Sequence, residues 1–313
     1  MRKLRVVPDN TKFRFMHLRR YTFPVTIALV VASVIGFIFV GPDYGIDFRG
    51  GTLIEMRPIS DDIGVGSVRS TISQLNLGDV QVQEVTDLVD DTSNILVRIE
   101  LQPGGDEAQQ LAVGQMRSSF GDTVEFRRVE TVGPRVSSEL ASKGTIAILV
   151  TLAAVLAYIW LRFEWQFAIG AVAATIHDVL LTLGFFVVAG LEFNLASIAA
   201  MLTIVGYSLN DTVVVYDRIR ENLRKFKKME ITELLDNSIN EMLARTAMTS
   251  LTTLLALAAL FIFGGTVLRS FIAAMMFGVI AGTYSSVFIA SPILIFFKFR
   301  PSDLAKAADV GAA

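Results

Sequence analysis

The sequence has no cysteine, only two histidines and few charged residues, which make up 19% of its 313 residues. Without cysteine there is no disulfide, no thiolate metal site and no cysteine nucleophile. Two histidines, His17 and His177, are too few for a metal centre built from several imidazoles. The formal net charge of −2 gives no indication of bulk nucleic-acid binding. We therefore predict neither a metal site nor an enzymatic centre.

Long apolar stretches are what the chain has in excess. Hydrophobic residues make up 52% of the sequence, and the mean hydropathy is +0.54. Six stretches of 18 to 28 residues are nearly free of charge, and about 20 residues of helix cross the hydrocarbon core of a bilayer. We therefore predict six membrane spans, at residues 21–42, 144–161, 165–191, 193–216, 246–268 and 270–297.

The first stretch follows a basic segment, as the apolar part of a signal peptide would. It is too long for that part, however, and it ends in Gly41-Pro42-Asp43 without a small-x-small cleavage site. We therefore expect an uncleaved first membrane span.

The distribution of lysine and arginine predicts the orientation of the chain. Residues 1–20 carry seven basic side chains and residues 217–245 carry seven more, whereas the short segments on the opposite face carry only Arg269. By the positive-inside rule, the cytoplasm contains the N-terminal segment 1–20, a charged and partly helical loop at 217–245, and the tail 298–313. Both termini are thus predicted to be cytoplasmic, in agreement with an even number of spans.

The same orientation places residues 43–143 outside, where they carry 17 acidic and 9 basic residues. Alternation of apolar residues predicts strands at 45–56, 80–85, 95–101 and 124–132, and helical patterns predict helices at 62–75 and 106–120. The order β-α-β-β-α-β is that of a ferredoxin-like sandwich. We therefore predict an all-α bundle of six membrane helices with an α+β ferredoxin-like periplasmic domain between spans 1 and 2, followed by a five-helix block at 144–297.

Three ionisable residues fall inside the predicted spans, namely His177, Asp178 and Asp211. Such groups are costly in a bilayer, by about 2.5 to more than 10 kcal/mol. A buried carboxyl group can take up and release a proton, so we expect Asp211 to act as a proton relay or an ion site. The alternative is a structural hydrogen bond, although an asparagine would supply it without the cost of a charge. A structural bond is favoured for His177, and Asp178 fits either role.

Polar neighbours surround Asp211 in the sequence. Tyr207, Ser208 and Asn210 form a polar patch on an otherwise apolar span, and for the last two we favour structural hydrogen bonds. Arg245 opens the fifth span. It is either an interfacial arginine that extends to the headgroups or a partner that holds Asp211 ionised and releases it for protonation. The spacing favours neither interpretation.

The last span carries a small residue at every fourth position: Ser270, Ala274, Gly278, Gly282, Ser286 and Ala290. Such a stripe lets a neighbouring helix approach closely. We interpret it as a packing surface and not as a site of chemistry.

Residues 45–52 read Gly-Ile-Asp-Phe-Arg-Gly-Gly-Thr. The motif lacks the Gly-Lys-Ser/Thr end of a phosphate-binding loop and does not open a strand-to-helix turn. We expect a structural role, with the glycine pair forming a bulge, for Gly45, Asp47, Phe48, Arg49, Gly50 and Gly51. No cofactor is predicted, so any active process must draw on an ion gradient.

Several of these segments resemble a known family. Residues 192–222, which contain Gly-Tyr-Ser-Leu-Asn-Asp-Thr, resemble the fourth-span signature of the SecD/SecF family, in particular of its SecF members. The motif at 45–52, residues 161–165 and the pair His177-Asp178 resemble further family motifs. The resemblance extends from about residue 15 to residue 300.

The resemblance implies a bacterial inner-membrane subunit that completes preprotein export with SecD as an obligate partner, beside the SecYEG translocon, YajC and YidC. It also implies that Asp211 is the proton-relay aspartate and Arg245 its partner. Two other functions stay open. One is a half-unit of a resistance-nodulation-division exporter of small molecules or lipids, a superfamily to which the family is related. The other is a membrane assembly scaffold.

Overall fold

The structure is a computed structural model that describes residue 8 and residues 11–60, 63–87, 92–265 and 268–297. In chain order, its elements are α1 (Phe15–Phe39), β1 (Asp43–Tyr44), α2 (Ile46–Arg49), β2 (Gly51–Pro58), α3 (Val65–Ser73), β3 (Val80–Asp87), β4 (Thr92–Ile99), α4 (Gly105–Phe120), β5 (Val124–Val132), α5 (Pro134–Arg162), α6 (Trp165–Val188), β6 (Glu192–Phe193), α7 (Leu195–Lys225), α8 (Ile231–Phe263), α9 (Arg269–Ser285) and α10 (Ser291–Phe296). A π-helical turn, Ser286–Ala290, joins α9 to α10.

Six helices are long and apolar enough to cross a membrane, as predicted. They are α1, α5, α6, α7, α8 and the continuous run from α9 through the π-helical turn to α10. About half of the residues are buried in the most apolar stretch of α6, of α7 and of this last helix, whereas about a tenth or fewer are buried in that of α1, α5 and α8. Large apolar side chains cover these outer helices, among them Ile38, Leu161 and Phe263. A polar site shielded from lipid can therefore lie only in the centre of the bundle.

Two membrane-spanning helices extend well beyond the predicted spans. Residues 217–245, predicted as a partly helical loop, are mostly the end of α7 and the start of α8, and only residues 226–230 separate the two helices. Polar contacts hold the extensions together, such as the bond from Arg218 Nε to Glu241 Oε2 at 2.6 Å. Charge marks where a helix meets water, and a helix need not end there.

The chain between α1 and α5 folds into a small sheet domain. Its four strands are antiparallel in the order β3-β4-β2-β5. The helices α3 and α4 pack on one face of this sheet, where Met116 of α4 shares an apolar cluster with Ile54 and Val97 of the strands. The predicted element order β-α-β-β-α-β is confirmed. The predicted boundaries are not, because residues 46–49 form α2 instead of strand. The last part of the predicted domain 43–143 belongs to α5.

The bulge predicted at the glycine pair is wrong. Gly50 and Gly51 make the turn from α2 into β2, with positive φ angles of 76° and 114°. A Cβ on Gly51 would lie 2.3 Å from the carbonyl oxygen of Ile99 on β4. The register shift of β2 against β5 lies instead between Glu55 and Met56. Glycine is therefore required at both positions because the backbone there is left-handed, and at Gly51 also because β4 approaches closely.

The stripe of small residues packs α9 directly on α7. A Cβ on Gly278 would lie 2.3 Å from the side chain of Ile204, and one on Gly282 would lie 3.0 Å from that of Ser208. Other members of the stripe are also buried, namely Ala274, Ser286 and Ala290. The stripe therefore lies against α7, the helix that carries Asp211.

Replacing either interface glycine by alanine should destabilise the bundle. We expect Gly278→Ala and Gly282→Ala to lower the free energy of unfolding by about 1–3 kcal/mol, because the added methyl group has no room. Gly206→Ala on α7 is the matched control, since a Cβ there meets nothing within 4 Å and alanine favours helix. Thermal unfolding of the purified chain in detergent measures the effect. Equal melting temperatures for all three variants would contradict the packing described.

Candidate functional site

Asp211 lies on the buried face of α7, where this helix meets α8 and the π-helical turn. It is 5% exposed, and within the described residues it accepts one long hydrogen bond, from Ser286 Oγ at 3.4 Å. The hydroxyl of Thr246 faces the same carboxyl group without a hydrogen bond of normal geometry. A charged carboxylate with so few partners would be poorly stabilised away from water.

The helix opposite Asp211 is irregular because of a proline. Pro292 has no N–H to donate and its ring displaces the carbonyl one turn earlier, so the helix widens into the π-helical turn. Ser291 Oγ donates to the carbonyl oxygen of Ser286 at 2.9 Å and satisfies an acceptor there. Turns of this kind are frequent at functional sites. Here the turn presents the Ser286 hydroxyl to the carboxyl group.

Arg245 lies on α8, next to Thr246, with its side chain exposed. In the part of the chain that the structure describes, no ion pair joins it to Asp211. The structure therefore has Asp211 and Arg245 in an unpaired arrangement.

Asp178 is the opposite case to Asp211. It is fully buried, and its carboxylate has three partners: His177 Nδ1 at 2.8 Å, Ser285 Oγ at 2.7 Å and the hydroxyl of Ser208. These partners lie on α6, α9 and α7 respectively. The geometry is that of a structural junction that ties the three central helices together.

His177 extends this junction to the outer helix α1. Its ring lies 6.2 Å from that of Tyr284, whose hydroxyl pairs with Thr26 Oγ1 on α1 at 2.9 Å. His177 Nε2 is buried without a hydrogen-bond partner in the described chain. Within the same residues, no group of three or more His, Asp or Glu side chains is arranged to hold a metal ion.

The polar patch next to Asp211 is only partly brought together. Tyr207 donates to Ser250 Oγ at 3.2 Å, and Ser250 pairs with Thr283 Oγ1 at 2.7 Å, so that α7, α8 and α9 are linked. Asn210 is exposed on another face of α7. It therefore takes no part in the arrangement around Asp211.

The motif at 45–52 contacts the link between α6 and α7. Asp47 Oδ2 accepts the main-chain N–H that opens α7 at 2.8 Å. The Phe48 ring stacks on that of Phe193 with 5.7 Å between centroids, and Arg49 lies over the Tyr44 ring at 5.8 Å. These contacts agree with the structural role predicted for the motif.

Sequence reasoning missed two kinds of residue. Ser285 bonds Asp178, but it stands next to the stripe and has no motif of its own. Arg98 of β4 contacts Asp43 and Glu192, which lie far away in sequence. The sequence did carry a signal for the π-helical turn, because a proline inside the last predicted span indicates an irregular helix.

Comparison with known proteins gives a consistent result. A family model described as "Protein export membrane protein SecD/SecF, C-terminal" matches residues 112–300, and one described as "SecD/SecF GG Motif" matches residues 35–58. The protein translocase subunit SecF of Rhodobacter capsulatus is 45% identical over 96% of this chain and 96% of its own length. The protein translocase subunit SecDF of Brucella abortus is 40% identical over 96% of this chain but 39% of its own length.

Solved structures agree with these matches. The crystal structure of SecDF, a translocon-associated membrane protein from Thermus thermophilus, has a TM-score of 0.80 at 35% identity and covers 94% of this chain. SecDF in a super-membrane-facing form has a TM-score of 0.67. The chain spans about 40% of the length of these SecDF proteins. With its six candidate spans, it is a multi-pass inner-membrane protein, and it belongs to the SecD/SecF family of protein export membrane proteins.

Proposed function

We propose that the chain is a proton-driven subunit of the bacterial Sec machinery, which acts with SecD to complete the translocation of preproteins. Membership of a protein export family supports the role in export. The observation that supports the proton step is the contrast between two buried carboxyl groups. Within the described residues, the carboxylate of Asp178 has three hydrogen-bond partners, whereas that of Asp211 has one long bond from Ser286.

Asp211 alternates between two states in this proposal. With a proton it needs no counter-charge and can remain buried, as in the unpaired arrangement seen. Without the proton it needs a cation, and we propose Arg245, which precedes Thr246 on α8. Moving one charge through about 100 mV releases about 2.3 kcal/mol. This is the size of a typical coupling free energy between two conformations.

SecD is proposed to cover the exposed face of α7. This face carries Thr203, Gly206 and Asn210, whereas the outer faces of α1, α5 and α8 carry large apolar residues. A polar side chain is costly against lipid, and small residues let another helix approach. Since the chain corresponds to only part of SecDF, a second membrane protein would supply the rest.

The orientation is also a proposal. We place both termini in the cytoplasm and the sheet domain in the periplasm, because the basic residues concentrate at 1–20 and 217–245. The domain is proposed to be ferredoxin-like, since β2 and β4, the first and third of its four strands, lie in the centre of the sheet. SecYEG, YajC and YidC are included as partners on the family resemblance alone.

The main test is Asp211→Asn, which keeps size and hydrogen bonding but removes the titrating group. We expect gradient-dependent export to be lost while the protein remains inserted and bound to SecD. The measurement is preprotein translocation into inverted membrane vesicles, with and without a proton gradient. Export at the wild-type rate, with its response to the gradient intact, would leave Asp211 with a structural role only.

Arg245 variants test the proposed partner of Asp211. Arg245→Met should lose gradient-dependent export as Asp211→Asn does, because the ionised carboxyl group then lacks its cation. Arg245→Lys should retain part of the activity, since a point charge replaces the planar fork of arginine. Arg224→Met on the exposed end of α7 serves as the control. Full activity of Arg245→Met would exclude the pairing.

Removing each of the two buried carboxyl groups should change the free energy of unfolding by different amounts. Asp178→Ala leaves its partners unpaired in the core, so we expect the free energy of unfolding to fall by about 3–5 kcal/mol. Asp211→Ala removes one long bond and should cost about 1 kcal/mol or less. Thermal unfolding of the purified variants compares them. Equal losses of stability would show that Asp211 is as much a structural residue as Asp178.

A further inference from the structure

Arg98 fastens the sheet domain to the end of the helix bundle where α1 ends and α7 begins. It lies on β4, on the sheet face without helices, and its Nη1 and Nη2 are each 2.9 Å from a carboxylate oxygen, of Asp43 and of Glu192. Nη1 also donates to Gln81 Oε1 at 3.0 Å. The Arg98 side chain is only 12% exposed. A guanidinium shared by two carboxylates and shielded from water forms a stronger contact than an exposed ion pair.

Both carboxylates belong to segments that flank membrane helices. Asp43 follows α1 and Glu192 precedes α7, and the parallel pairing of β1 with β6 sets them side by side. The N–H of Gly45 donates to the carbonyl oxygen of Phe193 at 3.0 Å. A Cβ on Gly45 would lie 2.3 Å from Glu192 Oε1. A larger residue at this point would displace the Glu192 side chain, which crosses Gly45 on the way to Arg98.

The same segment is bonded to the start of α7, the helix that carries Asp211. Asp47 Oδ2 accepts the N–H of Leu195 at 2.8 Å, and Asn194 caps the helix through a capping box with Ser197. From Leu195, α7 continues unbroken for 16 residues to Asp211, which is about 24 Å of helix. The residues that Arg98 binds are therefore connected to Asp211 through one unbroken helix.

The charge of Glu192 depends on Arg98. Burial raises the pKa of Glu192 above its ordinary value, the nearby acids Asp43 and Asp47 act in the same direction, and Arg98 opposes them. Loss of Arg98 would leave three carboxyl groups together without this cation. Because like charges repel, this contact between the sheet domain and the bundle would not form without Arg98.

The covalent attachments of the sheet lie on the other side of β2. The chain enters β2 at Gly51 and leaves β5 at Val132, and these two residues are paired. Arg98 lies on β4, which neighbours β2 on the opposite side. A cleft of about 640 Å³ lies between this sheet face and the bundle, lined in part by Glu55 and Ser270. The sheet therefore has room to tilt about its attachments when the Arg98 contacts change.

We propose that Arg98 is the residue through which α7 moves the sheet domain. Arg98 is a positioning residue, since it touches neither Asp211 nor its partners. The proposal rests on the proposed proton-driven function. A change of state at Asp211 displaces α7 and the segment at 190–195, and Arg98 carries this displacement into β4.

Distance measurements between two spin labels test the proposal. Because the chain has no cysteine, Gln115→Cys on α4 and Val188→Cys at the end of α6 provide two unique and exposed labelling sites. The full chain is produced with a cysteine-free SecD and reconstituted in lipid vesicles. Four forms are compared by pulsed electron paramagnetic resonance: unchanged, Asp211→Asn, Arg98→Met, and both substitutions together.

We expect Asp211→Asn to shift the distance between the labels, and the shift to disappear when Arg98→Met is present. An arginine that only held the domain in place would change the distance equally in both backgrounds and leave the shift intact, so non-additivity is the diagnostic result. A full shift in the Arg98→Met background would overturn the proposal while leaving the proton site in place. Absence of any shift with Arg98 present would overturn it as well. Normal gradient-dependent export by Asp211→Asn would instead refute the proposed function.

Two further variants make the test specific. Arg128→Met is the matched control, because Arg128 lies on the same sheet face but pairs with Glu130 inside the sheet, and it should keep the shift. Glu192→Gln removes the carboxylate that precedes α7 and leaves Asp43 and the sheet domain unaltered, so it should lose the shift as Arg98→Met does. If Glu192→Gln keeps the shift, or Arg128→Met loses it, the assignment to Arg98 is wrong.

Discussion

A carboxyl group buried in a membrane must be neutral, paired with a cation or bonded on several sides, and the arrangement of this bundle depends on that constraint. Asp178 meets it with partners from three helices. Asp211, one helix away, has a single long bond among the described residues, and no ion pair joins it to a cation there. The two acids are thus held under different conditions. One is bonded to the central helices, and the other is the group that we propose to change its charge.

Close packing connects Asp211 to residues beyond its immediate neighbours. Gly278 and Gly282 let α9 lie directly on α7, and Asp178 bonds both helices to α6. Tightly packed interiors shift as units more readily than they deform. The 31-residue helix α7 is moreover bonded at its first residue to Asp47. We propose that a small movement at Asp211 reaches the sheet domain along these contacts, which end at Arg98.

The features that follow from solvent could be predicted from the sequence, and those that depend on distant contacts could not. Charge-free length gave the six spans, and alternation gave the order of the sheet domain. The charged segment 217–245 led to the wrong helix boundaries, because charged residues indicate exposure to water and do not indicate where a helix ends. The glycine pair was recognised as structural, but its turn depends on the approach of β4. Nothing in a strand indicates that Arg98 will meet Glu192, and the pairing of Asp211 with Arg245 stays a prediction.

Infrared difference spectroscopy of the full chain in complex with SecD measures the protonation of Asp211 most directly. The complex is reconstituted in vesicles with labelled aspartate, and a proton gradient is switched on. A relay at Asp211 predicts a protonated-carboxyl band that changes with the gradient and is missing from the Asp211→Asn variant. A band that ignores the gradient, or one that persists unchanged in Asp211→Asn, would contradict it.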